Sequence, residues 1–219
     1  MNPVLNEFLE YIDAKDPEKG PATYPWNEWD ASNYLLPIDE SLLDELSKVQ
    51  PNALFALSTA VTFWTYSRLR YLEHNPDAER LLEVIAASRI TRPALDVRYI
   101  NPDEWRGPVN GPLITAIAAL LDGLQQADYW PYLDEIVHNN LRMARHVRTQ
   151  HDPFDEWWET ALDFVVITFP KKSLKNVDDF GAPVPLSAFI FDADYTDHYS
   201  FFDQISAVSN DNPWFIAPS

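Results

Sequence analysis

The chain has 219 residues with no cysteine and a formal net charge of −18, from 34 acidic and 16 basic residues. The missing thiols exclude disulfides, thiolate metal sites and cysteine nucleophiles, and a chain of this length needs no such staple to bury a core. The charge works against nucleic acid and anionic membranes as partners and favours basic ones.

The charge is unevenly spread. Residues 1–50 hold 11 acidic and 3 basic residues, and residues 176–219 hold 7 aspartates with no Lys or Arg. Residues 51–175 hold 16 acidic and 13 basic residues, so a near-neutral middle lies between two acidic ends. The first sixteen residues, MNPVLNEFLEYIDAKD, have neither the basic start nor the apolar core of a signal peptide, and cytoplasmic residence is the expectation.

A first helix is predicted after Pro3, with Leu5, Phe8, Leu9 and Ile12 on one face and Glu7, Glu10 and Asp13 on the other. Residues 16–37 read as an irregular stretch that Tyr24, Trp26, Trp29 and Tyr34 pin to the core surface. Asp39 opens a short amphipathic helix through Leu42, Leu43, Leu46 and Val49, and Pro51 opens the next. Residues 53–72, ALFALSTAVTFWTYSRLRYL, carry no charge before Arg68 and have large apolar side chains all round the helical cylinder. Such a helix belongs in the middle of a domain or in a membrane. Its hydroxyl stripe (Ser58, Thr62, Thr65) and the arginines that follow favour the buried, non-membrane alternative.

Asn75-Pro76 starts another helix, because Asn caps free amides and proline at the next position loses no hydrogen bond. A second loop is expected from 91 to 112. Residues 113–126 and 131–150 follow as an antiparallel helix pair, and 153–169 as a further helix. The end of that helix, FVVITF, is β-branched enough to read alternatively as a strand, so a small β element near 164–191 stays open. A last helix is expected after Thr196. Altogether the sequence predicts a mainly α chain, 1–219 as one helical domain. It forms an irregular multi-helix bundle around a buried central helix, with the acidic segment 176–219 packed on it.

Motifs for chemistry are sparse. Five scattered glycines supply no phosphate-binding loop, and there is no GxSxG or HExxH. The run FIFDADYT (189–196) has the DxDxT spelling of haloacid dehalogenase-type phosphatases, with Asp192 as nucleophile and Asp194 as acid/base. Only 25 residues follow Asp194, too few for the parallel α/β scaffold which that chemistry needs. Glu135 and His138 make half of a carboxylate-bridged di-iron set, and no second ExxH completes it. No metal or cofactor is therefore expected.

His138, Arg142, Arg145 and Arg148 follow helical spacing and make a basic strip, expected to pair with the acidic ends or to serve an anion. Arg145 and His151 also have the Arg-x5-His spacing of HEPN-type ribonucleases, which resemble this chain in being all-helical; Arg68 and His74 repeat the gap. That resemblance implies RNA cleavage by Arg145 and His151 and is the alternative reading. A third is a helical scaffold or small-ligand protein with a cleft bordered by Trp26, Trp29 and Trp105. The leading expectation is a non-catalytic acidic binding protein of the immunity or antitoxin type, neutralising a basic protein such as a toxin. Its interface candidates are Asp178, Asp179, Asp192, Asp194 and Asp197, with Tyr195, Tyr199 and Trp214 as aromatic anchors.

Overall fold

The computed structural model describes residues 3–16, 20–30, 35, 37–91, 94–95, 105–125, 132–148, 152–171, 180–191, 212 and 215–216. It is mainly helical. In chain order the helices are α1 (Pro3–Lys15), α2 (Glu40–Leu46), α3 (Pro51–Leu69), α4 (Pro76–Thr91), α5 (Gly107–Gln125), α6 (Leu133–His146) and α7 (Asp152–Thr168).

α3 is the axis of the bundle. Every residue in it except Asn52 is buried, and α1, α4, α5, α6 and α7 all pack on it. Two features of its sequence allow this. Small residues between the large ones (Ala53, Ala56, Ala60) let neighbouring helices approach. Its hydroxyls satisfy themselves on their own helix: Thr59 Oγ1 donates to Phe55 O at 2.8 Å and Thr62 Oγ1 to Ser58 O at 2.9 Å. Buried Asn140 of α6 then lays its Nδ2 between Ser58 Oγ and Thr62 Oγ1, 3.0 Å from each. The predicted hydroxyl stripe is thus the contact with α6.

Around this axis the aromatics cluster. Trp64 meets Phe154 and Trp157 with ring centroids 5.4 and 5.3 Å apart, and Trp157 Nε1 donates to Phe189 O at 3.0 Å. Fully burying side chains of this size stabilises by roughly 1.5–3 kcal/mol each, so this cluster fixes where α1, α7 and the 180–191 segment sit.

Helix starts follow the caps read in the sequence. Asn75 Oδ1 accepts the amides of Asp77 and Ala78, each at 3.1 Å, and Asp39 Oδ1 accepts those of Ser41 and Leu42 at 3.0 and 3.1 Å. α5 departs from expectation: it begins at Gly107, not at 113, and carries Pro112 inside it. Proline there cannot donate to the carbonyl of Pro108. The Tyr24 hydroxyl donates to that carbonyl in its place, so the acceptor that the proline leaves open has a partner.

Of the two readings of FVVITF the helix holds, and the β pairing found near 164–191 among the described residues is a single bridge at Pro170. α7 runs unbroken to Thr168, and Leu186–Phe189 is a 3-10 turn. Extended pairing occurs instead as an antiparallel bridge between Val49 and Pro170, where Gln50 N donates to Phe169 O at 2.9 Å, clamping the end of α7 to the start of α3. A two-residue antiparallel pair joins β1 (Ala94–Leu95) to β2 (Phe215–Ile216). Asn212 Nδ2 donates to Arg80 O of α4 at 2.8 Å. The helix expected after Thr196 lies outside the described residues.

Among the described residues one helical stretch, Gly107–Leu124 in α5, is long and apolar enough to cross a membrane, and half of it is buried inside the protein.

Candidate functional site

The basic strip of α6 is where the sequence placed cationic chemistry, and the structure divides it among separate internal partners. His138 is buried, and its Nε2 accepts the Asp39 amide at 3.0 Å, so the imidazole is neutral with its proton on Nδ1. Burial first, then the Arg142 charge, lower its pKa from the ordinary value, against the pull of Asp39 and Glu40. The lone pair a metal would need is therefore occupied. Among the described residues no three histidine or carboxylate groups gather to hold an ion.

Arg142 donates to Asn139 Oδ1 at 3.2 Å, and Arg145 Nε donates to Asp155 Oδ1 at 2.8 Å in a pair that both α6 and α7 leave partly exposed. Arg148 lies just past the end of α6 and turns inward. Its guanidinium pairs with the Asp16 carboxylate and donates to the Trp64 carbonyl. It also lies over the rings of Trp64 and Phe154, 4.8 and 5.4 Å from their centroids. Burial pushes its pKa down to about 9 while Asp155 opposes the shift, so it is charged at neutral pH.

The two Arg-x5-His pairs fare differently. Arg68 is buried and donates to Pro21 O at 3.1 Å, whereas His74 is exposed. Arg145 is held by Asp155, and His151 lies outside the described residues. The interface candidates Asp178, Asp179, Asp192, Asp194, Tyr195, Asp197, Tyr199 and Trp214 also lie outside them.

The three tryptophans proposed as a cleft border go to different surroundings. Trp105 is buried, Trp26 is half-buried against Gly111, and Trp29 is 82% exposed with the Arg106 guanidinium 6.0 Å from its ring centroid. They do not share one wall; Trp26 belongs to a seam where the 20–30 loop meets α5 and α6. Along it, His146 Nε2 lies 2.8 Å from Pro25 O, and the Tyr24 and His146 rings meet at 5.2 Å. Glu28 accepts the Gly107 amide, the first cause holding its carboxyl below the usual range. Burial raises the Tyr24 phenol to about 12, which keeps it a donor toward Pro108.

A groove of about 320 Å³, which the sequence did not point to, opens between α1 and α7. Tyr11, Trp157 and Phe191 form its aromatic walls, and Lys15 and Glu156 stand on it with opposite charges. The Lys15 ammonium sits 5.6 Å from the Tyr11 ring centroid. Its walls come from residues up to 180 positions apart, so helical periodicity could reveal the faces but not their meeting.

The surface is lopsided in charge. Among the described residues twelve carboxylates are exposed, against five Lys or Arg. Glu156, Glu159 and Asp163 line one outer face of α7, ending at Ile167, which is 77% exposed. Compared with protein-family models, with curated proteins and with solved structures, the chain matches none.

Proposed function

We propose that the chain is a non-catalytic, cytoplasmic binding protein that captures a basic protein by charge complementarity, in the manner of an immunity protein or antitoxin neutralising a basic toxin. The observation that carries this reading is the exposed charge: among the described residues twelve carboxylates are exposed against five Lys or Arg. Arg68 and Arg148 are buried, and Arg70 and Arg145 are tied to Asp13 and Asp155. Among the described residues Asp16 and Glu83 are buried as well, so the interior takes up as many carboxylates as arginines and the acidic excess of the chain stays outside.

Exposed carboxylates of one sign raise the association rate with a cationic partner, and the effect fades with salt. Asp178, Asp179, Asp192, Asp194 and Asp197 are the proposed electrostatic contacts, and Tyr195, Tyr199 and Trp214 the proposed anchors.

The test is capture by the immobilised chain at low and high salt, followed by identification of the captured protein and assay of its activity with and without the chain. The expected partner is basic, binds faster at low salt and is inhibited. Salt-indifferent capture would count against the proposal. Cleavage of RNA by the purified chain, abolished by Arg145→Ala or His151→Ala, would replace it with the ribonuclease reading.

A further inference from the structure

We propose that the junction between α2 and α6 is an acid-released latch, in which protonation of His138 removes the acceptor for the Asp39 amide and frees the first turn of α2. The inference concerns the fold alone and holds whatever the chain binds.

The geometry has three parts. Asp39 is the N-cap of α2, so its own amide has no partner within the helix. That amide is given to His138 Nε2 at 3.0 Å. Among the described residues at this end, 37–41 are all exposed and Leu42 is only partly buried against the core, while the fully buried residue of the helix, Leu46, is at its far end. The His138 bond is therefore what holds the Asp39 amide among the described residues, and it exists only while the imidazole is neutral.

A proton on Nε2 turns acceptor into donor and sets it against the Asp39 N–H. The Asp39 carboxylate could turn to the imidazolium, but it would then leave Ser41 N and Leu42 N, which it caps. Either response rebuilds the start of α2.

The charged groups facing His138 are Arg142 and Arg145 on its own helix and Asp39 and Glu40 from α2. α3 and α5, also packed on α6, carry one charged side chain each. These are Arg68, engaged with Pro21 O, and the exposed Asp122. Burial and the two arginines oppose protonation and the two carboxylates favour it, with burial the largest influence and the net direction downward. The sign follows. As pH falls below the ordinary histidine value of about 6.5 the opened state takes the proton first. The stabilisation is full above that value and is lost as pH falls through the lowered folded pKa.

The experiment uses the full chain and follows amide hydrogen-exchange protection across α2 and α3 from about pH 7.5 to about pH 5, alongside nitrogen chemical shifts of labelled histidine. The expected result is a neutral Nδ1–H tautomer at the upper pH. Protection of the α2 amides then drops by roughly five- to tenfold on acidification, the scale of one lost hydrogen bond, while α3 is unchanged. His138→Gln offers an acceptor that does not titrate, and its α2 protection stays flat. Pairing with Nε2 protonated at the upper pH, pH-independent protection of α2, or the same drop in His138→Gln would overturn the latch. Should His138→Gln fail to fold, the shift of the Asp39 amide through the wild-type titration decides: movement tracking the His138 nitrogens supports the latch, and none overturns it.

Discussion

Arg145 and Arg148 stand three residues apart, and the structure assigns them very different weights. Arg148→Met keeps most of the volume and removes three things: the charge facing buried Asp16, the donor to the Trp64 carbonyl, and the flat contact over Trp64 and Phe154. Breaking a buried ion pair from one side costs about 3–5 kcal/mol, because the other charge stays behind without compensation. A protein whose whole stability is typically about 5–15 kcal/mol feels that as a large fraction.

Asp16→Asn breaks the same pair from the other side and leaves the buried Arg148 charge behind, so a similar cost of about 3–5 kcal/mol is expected. The double variant no longer contains an unpaired carboxylate and falls short of the sum of the singles by about 2 kcal/mol. Arg145→Met breaks a pair whose side chains are 30% and 35% exposed, and water replaces what is lost; less than about 1 kcal/mol is expected. Urea unfolding followed by tryptophan emission measures all four. Equal costs for Arg145→Met and Arg148→Met, or additivity of Asp16→Asn and Arg148→Met within about 0.5 kcal/mol, would refute the assignment of Arg148 as a buried structural cation.

Tyr24→Phe removes the donor that replaces the missing amide of Pro112. It should cost about 1 kcal/mol in the native background and close to nothing in Pro112→Ala, where an amide can reach Pro108 O; equal costs in both backgrounds would rule this out. A methyl group at Gly111 would stand 2.2 Å from Trp26 Nε1, so Gly111→Ala expels the indole, red-shifts the emission and costs about 1–3 kcal/mol; an unshifted spectrum contradicts this. Asn140→Ala strips the donor from two buried hydroxyls and should cost about 2–3 kcal/mol, whereas Asn140→Leu combined with Ser58→Ala and Thr62→Ala should recover most of it. Thermal unfolding of that triple variant checks the claim, and a melting point no higher than that of Asn140→Ala contradicts it.

The fold was legible where one local signal sufficed. α3 could be placed because a long run without charge, apolar on every side, has few other destinations, and α4 because Asn75 with Pro76 satisfies its first amides. Errors arose where a distant group overrode the local signal. Pro112 reads as a boundary by its own chemistry, and the partner of the carbonyl it leaves open inside α5 is Tyr24, 88 positions away. Val165, Val166 and Ile167 favour a strand by branching at Cβ, yet Val165 is fully buried as part of α7, and that packing outweighs a propensity difference of a few tenths of a kcal/mol.

The basic strip shows why a site is harder to read than a helix. At about 100° per residue, His138, Arg142 and Arg145 fall within one arc, but a shared arc does not fix a shared environment. Histidine is short and stays in the seam with α2; Arg145 is long enough to reach Asp155; Arg148 lies past His146, where the helix has ended and the spacing no longer applies. What the sequence could not supply was the partner of each charge, and the partner decides whether a cation serves the fold or the surface. Arg148 takes the Asp16 carboxylate inward with it, so that pair leaves the outward charge unchanged. The outward charge is then set by the carboxylates left at the surface, twelve of them exposed against five Lys or Arg among the described residues.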